Sequence, residues 1–387
     1  MDRPVVGIIC EYDPFHRGHA HQFALIRRQL PDALILCLMS GCFTQRGMPA
    51  MHQPRARAEA ALRAGADLVL ELPCAFSVRD AEHFALGGVD ILTRLTFVTH
   101  LSFGVEDDAP EALQAAACLL EQPSARFEAA LRCSLDEGLS FAAAQGIALG
   151  ECLGHPERWS RPNNILALCY LRALLRLKSP LIPLPVRRDG DFHAQSLEEG
   201  VWPSASAVRA ALLTGRDQEA ALACGYALPS SPVCRPDALD QLLLYKLRTA
   251  SANSLALLPD CTEGLENRLK ACAGQAASRQ ELLGLLKTRR YAHTRLNRLC
   301  AHALLDMDAD FLHQHPRPDY VRLLGLRRDA KAMTALIGQS GLDVISRAAD
   351  CDFSNPLLQL DKRAYELWAL GAGLPEGLML RQGVAVV

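Results

Sequence analysis

The chain has 387 residues, half of them hydrophobic, and its 41 basic and 43 acidic residues leave a formal net charge of -2. This length exceeds the usual size of one domain, so two globular domains with ample core are expected. No apolar run approaches the roughly 20 residues that span a bilayer, and the N-terminus lacks a secretory-signal pattern. Balanced charge excludes no class of partner, because a basic patch can lie on a neutral protein.

The fourteen cysteines are scattered along the chain, without any Cys-x-x-Cys pair. A disulfide framework or a zinc site would need closer, repeated spacing. The pattern is typical of free, mostly buried thiols in a reducing compartment. We therefore expect a cytoplasmic protein with neither disulfides nor a cysteine-bound metal.

Strand-like and helix-like segments alternate in the first half of the chain. The predicted strands are residues 4–10, 33–41, 66–73, 99–104 and, after a mostly helical stretch at 109–173, residues 179–188. Helical spacing of apolar residues is found at 20–30, 54–65, 81–95 and again at 204–215. Such alternation predicts an α/β fold with a parallel sheet and helices on both faces. The strands end in Gly, Pro or polar loops, where ligands bind in such folds.

The pattern changes after residue 215. A Pro- and Ser-rich segment at 229–237 is typical of a linker, and Leu-rich helical segments follow at 238–250, 264–273, 278–305 and 319–338. We place the domain boundary near residues 215–232. The prediction is an α/β domain over residues 1–220, followed by an all-α domain over residues 232–387.

Two histidines and a glycine directly follow the first predicted strand, as His16-Arg17-Gly18-His19. A helix that begins there turns its unpaired N–H groups toward the crevice beyond the strand ends, which suits a phosphate. His16 and His19 lie three residues apart on the opening turn, so both can face one ligand. Imidazoles at that position can donate hydrogen bonds to phosphate oxygens, and Gly18 lets a ligand approach the backbone. The pattern predicts a nucleotide-phosphate site.

This His-x-Gly-His turn resembles the phosphate-binding motif of the nucleotidylyltransferase superfamily. Further segments follow in the order typical of the tRNA(Met) cytidine acetate ligase family: "MSGCFTQRGMPA", "RAEAALRAGADLVLELP", "SFGVED", "RPNNILALCYLRAL", "VRRDGDFHAQ" and "SASAVRAAL". The similarity continues at "KTRRYAHTRLNR" and "YVRLLGLRRDAK" in the second half. The resemblance implies a Rossmann-like nucleotidylyltransferase domain.

The resemblance also implies an activity. Members of the family form N4-acetylcytidine at the wobble position of elongator tRNA(Met), using ATP and acetate as substrates. Acetate attacks the α-phosphate, pyrophosphate leaves, and the acetyl-adenylate then acylates the cytidine amine. An adenylate leaving group turns an inert carboxylate into an acyl donor, and the weakly nucleophilic amine must be held beside it. Magnesium is expected with ATP, although no metal-ligand cluster can be read from the sequence.

The resemblance assigns His16, His19 and Arg46 to catalysis. It places ATP on the strand–loop–helix segment Ile9, Cys10, Glu11, Tyr12, Asp13, Pro14, Phe15, His16, Arg17, Gly18, His19, Ala20, His21 and Gln22. Further ATP contacts are expected from Gly104, Asn163, Asn164, Arg187, Arg188 and Ser206, with Ser204 and Arg209 in the same helix start. One of the two asparagines should bind the nucleotide while the other caps the helix that follows. Which asparagine and which arginine does so stays open.

Two positions depart from the family pattern. Cys42 stands where an asparagine usually follows the Ser-Gly pair, and "MHQP" replaces a lysine-containing stretch before Arg57. If that lysine contacts phosphate or acetate, its role passes to Arg46, Arg55 or Arg57.

A basic segment in the second half carries the expected tRNA contacts: Lys287, Arg289, Arg290, Tyr291, Arg295 and Arg298. No acid interrupts it, so its charges can contact phosphates, and its aromatic ring can stack on an exposed base. Arg327, Arg328 and Lys331 add to the basic character of this half.

Two other functions fit the same residues. One is an adenylyltransferase that acts on a small phosphate-bearing acceptor, which would leave the long basic half unexplained. The other is a non-catalytic RNA-binding protein with a decayed nucleotide site, which Cys42 and the lost lysine would favour. The intact His16, Gly18 and His19 argue against decay.

Reversing the charge at Arg289 and Arg290 tests the predicted RNA contacts. The Arg289→Glu/Arg290→Glu variant should bind tRNA at least about tenfold more weakly, with a flatter dependence on salt, because fewer counterions are released. Binding titrations at several salt concentrations measure both effects. Acetyl-adenylate formation should persist, and an equal loss of that step would mean that the segment is structural.

Overall fold

The structure is a computed structural model that describes residues 3–107, 109–187, 197, 202–226, 232–288 and 291–387. The strands are β1 (Val5–Cys10), β2 (Leu34–Ser40), β3 (Leu68–Leu72), β4 (His100–Val105), β5 (Ile182–Arg187), β6 (Tyr320–Leu326), β7 (Asp343–Ile345) and β8 (Ala385–Val386). The first five confirm the strands predicted from the apolar runs. Within the described residues, no helix is both long and apolar enough to cross a bilayer.

The helices that pack around the first five strands are α1 (Arg17–Gln29), α2 (Pro54–Arg63), α3 (Cys74–Ser77), α4 (Ala81–Arg94), α5 (Pro110–Glu121), α6 (Ala125–Asp136), α7 (Phe141–Leu153), α8 (Pro156–Trp159), α9 (Pro162–Arg176), α10 (Ala205–Leu213) and α11 (Asp217–Cys224). The helices of the second half are α12 (Asp240–Thr249), α13 (Ala252–Ala256), α14 (Leu265–Gln275), α15 (Arg279–Leu286), α16 (His293–Leu305), α17 (Ala309–Gln314), α18 (Ala332–Ile337), α19 (Pro356–Gly371) and α20 (Leu378–Arg381). Short 3-10 helices lie at Arg328–Ala330 and Ala348–Asp350.

The sheet has the strand order β5-β4-β1-β2-β3-β6-β7, with β8 paired to β6. The first five strands are all parallel, and β1 pairs with β2 on one side and β4 on the other. The chain therefore reverses its direction of winding at β1, and a crevice opens beyond the carboxyl ends of β1 and β4. The α/β class with a parallel sheet is confirmed.

The second half is helical from α12 to α17, as predicted, but it is not all-α. Residues 319–338 were expected to be helical, whereas Tyr320–Leu326 form β6, which pairs antiparallel with β3. All seven residues of β6 are buried. A strand buried on both faces shows no polar alternation, so its apolar run fits a helix equally well. The predicted boundary near residues 215–232 stays a prediction, and the sheet takes strands from both sides of it.

A buried polar network joins the two halves where β3 meets β6. The Glu71 carboxylate accepts hydrogen bonds from Arg322 Nη1 at 3.2 Å and from the Tyr365 hydroxyl at 3.0 Å. Asp361 on α19 accepts a bond from the Tyr320 hydroxyl. Arg322 is therefore the cation that pairs with buried Glu71, and the second acid, Asp361, lies in the same network.

Asp361 provides a pH test of this network. Burial, with the nearby Glu71 charge, raises the pKa of Asp361 to about 8, against an ordinary value of about 4 in an unfolded chain. Between these two pH values the folded state binds more protons than the unfolded state. The contribution of Asp361 to the free energy of unfolding is therefore present at low pH and decreases as the pH rises toward 8.

The Asp361→Asn variant should therefore lose part of the pH dependence of unfolding. From pH 5 to 8, the free energy of unfolding of the wild type, minus that of the variant, should decrease by about 1 kcal/mol per pH unit. Denaturant unfolding at several pH values measures this difference. Parallel pH profiles for the two proteins would contradict the assignment.

Candidate functional site

A cleft of about 1020 Å³ opens at the reversal of strand order. Its floor is the end of β1 and the segment Ser102–Gly104 of β4, and its walls include the first turns of α1, α9 and α10. Residues of α16, from the second half of the chain, close another side. The cleft is large enough for a nucleotide together with a second small ligand.

The predicted histidine turn is the N-terminus of α1. His16 is the N-cap: its Nδ1 accepts a hydrogen bond from the Gly18 N–H at 3.1 Å, while His19 Nδ1 accepts one from the His16 N–H at 3.2 Å. The two rings stack, with centroids 3.7 Å apart. Because each Nδ1 is an acceptor, each neutral imidazole carries its proton on Nε2 and is a donor there. Both side chains line the cleft.

Gly18 packs closely against the His16 ring. A Cβ atom at this position would lie 3.0 Å from His16 Cε1 and 3.1 Å from its Nδ1, which is tighter than ordinary contact. A side chain here would press against the imidazole that caps the helix. Gly18 itself is not among the lining residues of the cleft.

Helix α10 begins beside α1. Ser204 caps it, with Oγ accepting from the Ala207 N–H at 3.0 Å, and Ser206 accepts from Arg209 Nη2 at 3.2 Å. Arg209 Nη1 also donates to the carbonyl of Asp13 at 2.6 Å, which ties α10 to the loop after β1. Ser204, Ser206 and Arg209 all line the cleft. Two helix N-termini, with their partial positive charge, therefore meet there.

The predicted ATP segment 9–22 divides into lining and supporting residues. The side facing the cleft consists of Ile9, Cys10, Glu11, Tyr12, Asp13, His16, His19 and Gln22. The other residues, Pro14, Phe15, Arg17, Gly18, Ala20 and His21, lie outside the lining. Phe15 is buried beneath the loop, and His21 stacks on Trp202 with centroids 4.4 Å apart. Phe15 and His21, which lie outside the lining, therefore support the turn through packing.

The two asparagines have different surroundings, and neither caps α9. The N-cap is Arg161, and both asparagines lie inside the first turn. Asn164 is fully buried, accepting from the Glu106 N–H and donating to Asp107 Oδ1 and the Arg158 carbonyl. Asn163 donates to Glu106 and lines the cleft. The capping prediction is wrong, because Glu106 accepts the Asn163 N–H in place of a cap.

The three arginines proposed to replace the lost lysine also differ. Arg57 is 2% exposed, and its guanidinium donates to the carbonyls of His52, Glu11, Ser40 and Gly41. Those bonds use four of its five N–H groups to hold the ends of β1 and β2, and Arg57 is not among the lining residues of the cleft. Arg55 pairs with Glu59 outside the cleft. Arg46 is exposed and lines the cleft.

Glu11 sits at the end of β1 beside the Arg46 loop. It accepts a hydrogen bond from the Gln45 N–H. Burial raises the pKa of Glu11, and the Gln45 N–H together with the Arg46 charge opposes that rise. The carboxylate therefore fixes the loop that carries Arg46. Cys42 is buried, and burial raises its pKa well above the ordinary value, so it is a thiol and a packing residue.

The remaining predicted nucleotide contacts have mixed outcomes. Gly104 lines the cleft from β4, where it pairs with Val186 of β5. Arg187 ends β5 as an exposed residue and is outside the lining. Arg188 lies outside the described residues.

The basic segment expected to bind tRNA partly faces the cleft. Arg295 and Arg298 line it from α16, whereas the Tyr291 ring is 8% exposed and lies under the Arg295 guanidinium. Lys287 donates to the Tyr291 carbonyl at 2.8 Å. Burial leaves Tyr291 little surface on which a base could stack. Arg289 and Arg290 lie outside the described residues.

Several lining residues were not foreseen from the sequence. Thr44 and Gln45 directly precede Arg46, and Ser102 precedes Gly104 by two positions, so their motifs offered a signal. Asp80, which caps α4, and Asp260, from the loop before α14, offered none. Their approach to the cleft depends on the packing of separate helices.

Comparison with known proteins agrees with this geometry. The family profile described as HIGH Nucleotidyl Transferase matches residues 3–376. A protein of Syntrophomonas wolfei named tRNA(Met) cytidine acetate ligase is 34% identical, over 95% of this chain and 94% of its own length. The protein of that name from Acetivibrio thermocellus is 33% identical, over 96% and 94% of the two chains.

Solved structures show the same fold. The apo form of Thermotoga maritima TmcAL superposes with a TM-score of 0.88 at 25% identity, covering 99% of both chains. The same protein bound with alpha-thio ATP gives a TM-score of 0.86, also at 25% identity and 99% coverage of each chain. With a histidine turn at the end of β1 and relatives that match along nearly their whole length, the chain belongs to the tRNA(Met) cytidine acetate ligase family of HIGH nucleotidyl transferases.

Proposed function

We propose that this protein is an ATP-dependent ligase that forms N4-acetylcytidine at the wobble position of elongator tRNA(Met) from acetate. The observation that carries the proposal is the meeting of two helix N-termini and two stacked histidines in one cleft, in a chain that aligns with 94% of a named ligase. The ATP-analogue complex of the similar Thermotoga protein supports a nucleotide as the ligand.

The first step joins acetate to AMP. An acetate oxygen attacks the α-phosphorus of ATP, the bond to the bridging oxygen of pyrophosphate breaks, and pyrophosphate leaves with the electron pair. The Nε2–H groups of His16 and His19 donate to phosphate oxygens as negative charge builds on them, and the N-termini of α1 and α10 add partial positive charge. This step needs positioning and charge compensation, with no covalent bond to the protein.

The second step transfers the acetyl group. The exocyclic amine of cytidine attacks the acetyl carbon of the mixed anhydride, AMP leaves with its oxygen, and the amine loses a proton. Glu11, Asp80 and Asp260 are carboxylates that line the cleft and could accept that proton, directly or through water.

Magnesium accompanies ATP in most phosphoryl chemistry. Among the described residues, no group of three or more His, Cys, Asp or Glu is placed to hold a metal ion. The ion would enter on the nucleotide phosphates, and neither step above depends on a protein ligand to it. The cytoplasm is the expected location, since all fourteen cysteines are free thiols.

The proposal is tested with purified protein, ATP, labelled acetate and transcribed tRNA(Met). Acetate-dependent pyrophosphate release and label on the tRNA cytidine are expected. If pyrophosphate is released only with another acceptor, the result would favour an adenylyltransferase. Binding of tRNA without any turnover would favour a non-catalytic RNA-binding protein.

Replacing the histidines tests the chemistry. His16→Ala and His19→Ala should each slow acetate-dependent ATP–pyrophosphate exchange by about 100-fold, the usual loss for a donor that stabilises a developing charge. The double variant should lose at least as much. His313→Ala, which removes an exposed histidine on α17, is the matched control and should leave the rate unchanged. Wild-type exchange in a folded double variant would refute the role of the pair.

A further inference from the structure

Arg298 places a buried guanidinium at the wall of the cleft. The residue is 7% exposed and lines the cleft from α16. Its Nε is buried and has no hydrogen-bond partner within the described part of the chain. Burial lowers the pKa of Arg298, an effect that the charges of Asp260 and Asp80 oppose. A guanidinium held out of water in this way is stabilised by an anion that enters the cleft.

Neighbouring arginines show that Arg298 is unusual. Arg295, one turn earlier on α16, donates to the Asp260 carbonyl and to Thr262 Oγ1. Arg57 donates to four backbone carbonyls. The Nε atoms of both have partners inside the protein. Of these three arginines, Arg298 is the one whose buried Nε has no partner within the described residues.

The loop that carries Arg46 is pressed against the backbone of Arg298. A Cβ atom on Gly47 would lie 2.7 Å from Arg298 Cα and 2.7 Å from its N, so only glycine fits at this contact. Arg279 links the same two segments, because its Nη2 donates to the carbonyls of Gly47 at 2.7 Å and Asn297 at 2.9 Å. Arg46 and Arg298 therefore reach the cleft from two segments that are fixed to one another.

The charges around Arg298 suit a small monoanion better than a polyphosphate. Asp80 and Asp260 line the same cleft and act on Arg298, so a triphosphate there would meet two like charges. The helix N-termini and histidines already form a separate group of donors suited to phosphate. The 7% exposure of Arg298 also excludes close approach by the backbone of a large RNA. A planar carboxylate matches the two parallel N–H donors of a guanidinium.

We propose that Arg298, with Arg46 beside it, binds the carboxylate of acetate and holds it for attack on ATP. This inference rests on the proposed ligase function and adds to it the acetate subsite. Arg298 thereby acts as a substrate-binding residue contributed by the second half of the chain. Under this proposal, acetate can be activated only when α16 is packed against the loop that contains Gly47.

Kinetics of acetate-dependent ATP–pyrophosphate exchange test the proposal. Arg298→Met should raise the KM for acetate by about 10- to 100-fold, the usual effect of losing hydrogen bonds from a charged donor, and leave the KM for ATP within about twofold. Added guanidinium should restore part of the activity of this variant. Arg268→Met, which removes an exposed arginine from α14, is the matched control. An equal rise in the KM for ATP would assign Arg298 to the phosphates instead.

A binding experiment separates this inference from the proposed function. Carbon-13 acetate should show line broadening with wild-type protein and a non-hydrolysable ATP analogue, and none with Arg298→Met that still binds the analogue. If the wild-type protein broadens the acetate signal but does not catalyse ATP–pyrophosphate exchange, the result would count against the ligase function and support the acetate subsite. Wild-type broadening that persists in Arg298→Met, or no broadening in wild type, would overturn the subsite.

Discussion

The reversal of strand order at β1 is the constraint on which the site depends. Because β1 pairs with β2 on one side and β4 on the other, the connections after these strands leave in opposite directions and a crevice opens between them. Arg57 holds the rim of this crevice by donating to carbonyls at the ends of both β1 and β2. The histidine turn, the Arg46 loop and the start of α10 are all positioned relative to that rim.

Within the cleft, the protein arranges donors of two kinds. At the start of α1 and α10 most donors are neutral: backbone N–H groups, serine hydroxyls and the Nε2–H of two stacked imidazoles, with the cation Arg209 beside them. On the side closed by α16 the donors are guanidinium groups, with acids beside them. Neutral, preorganised donors suit charge that develops during reaction, whereas a guanidinium suits an anion that is charged from the start.

The second half of the chain is part of the same structure as the first. Its strand β6 extends the sheet beyond β3, and Arg322 pairs with buried Glu71 at that junction. Its helix α16 contributes a wall of the cleft. The second half therefore contributes both a wall of the cleft and the basic segment that the sequence predicts to meet RNA.

The sequence alone determined the local features of this protein: the five parallel strands, the helices between them and the histidine turn. These depend on residues close together in the chain, since N-capping and ring stacking join positions two or three apart. Tertiary structure alone decided that 320–326 is a strand, that Asn164 is a buried support while Asn163 faces the cleft, and that Arg298 reaches a site formed by residues near 46. Such contacts join segments from about 57 to about 250 residues apart, and they follow from how the helices and strands pack, which a local sequence pattern does not show.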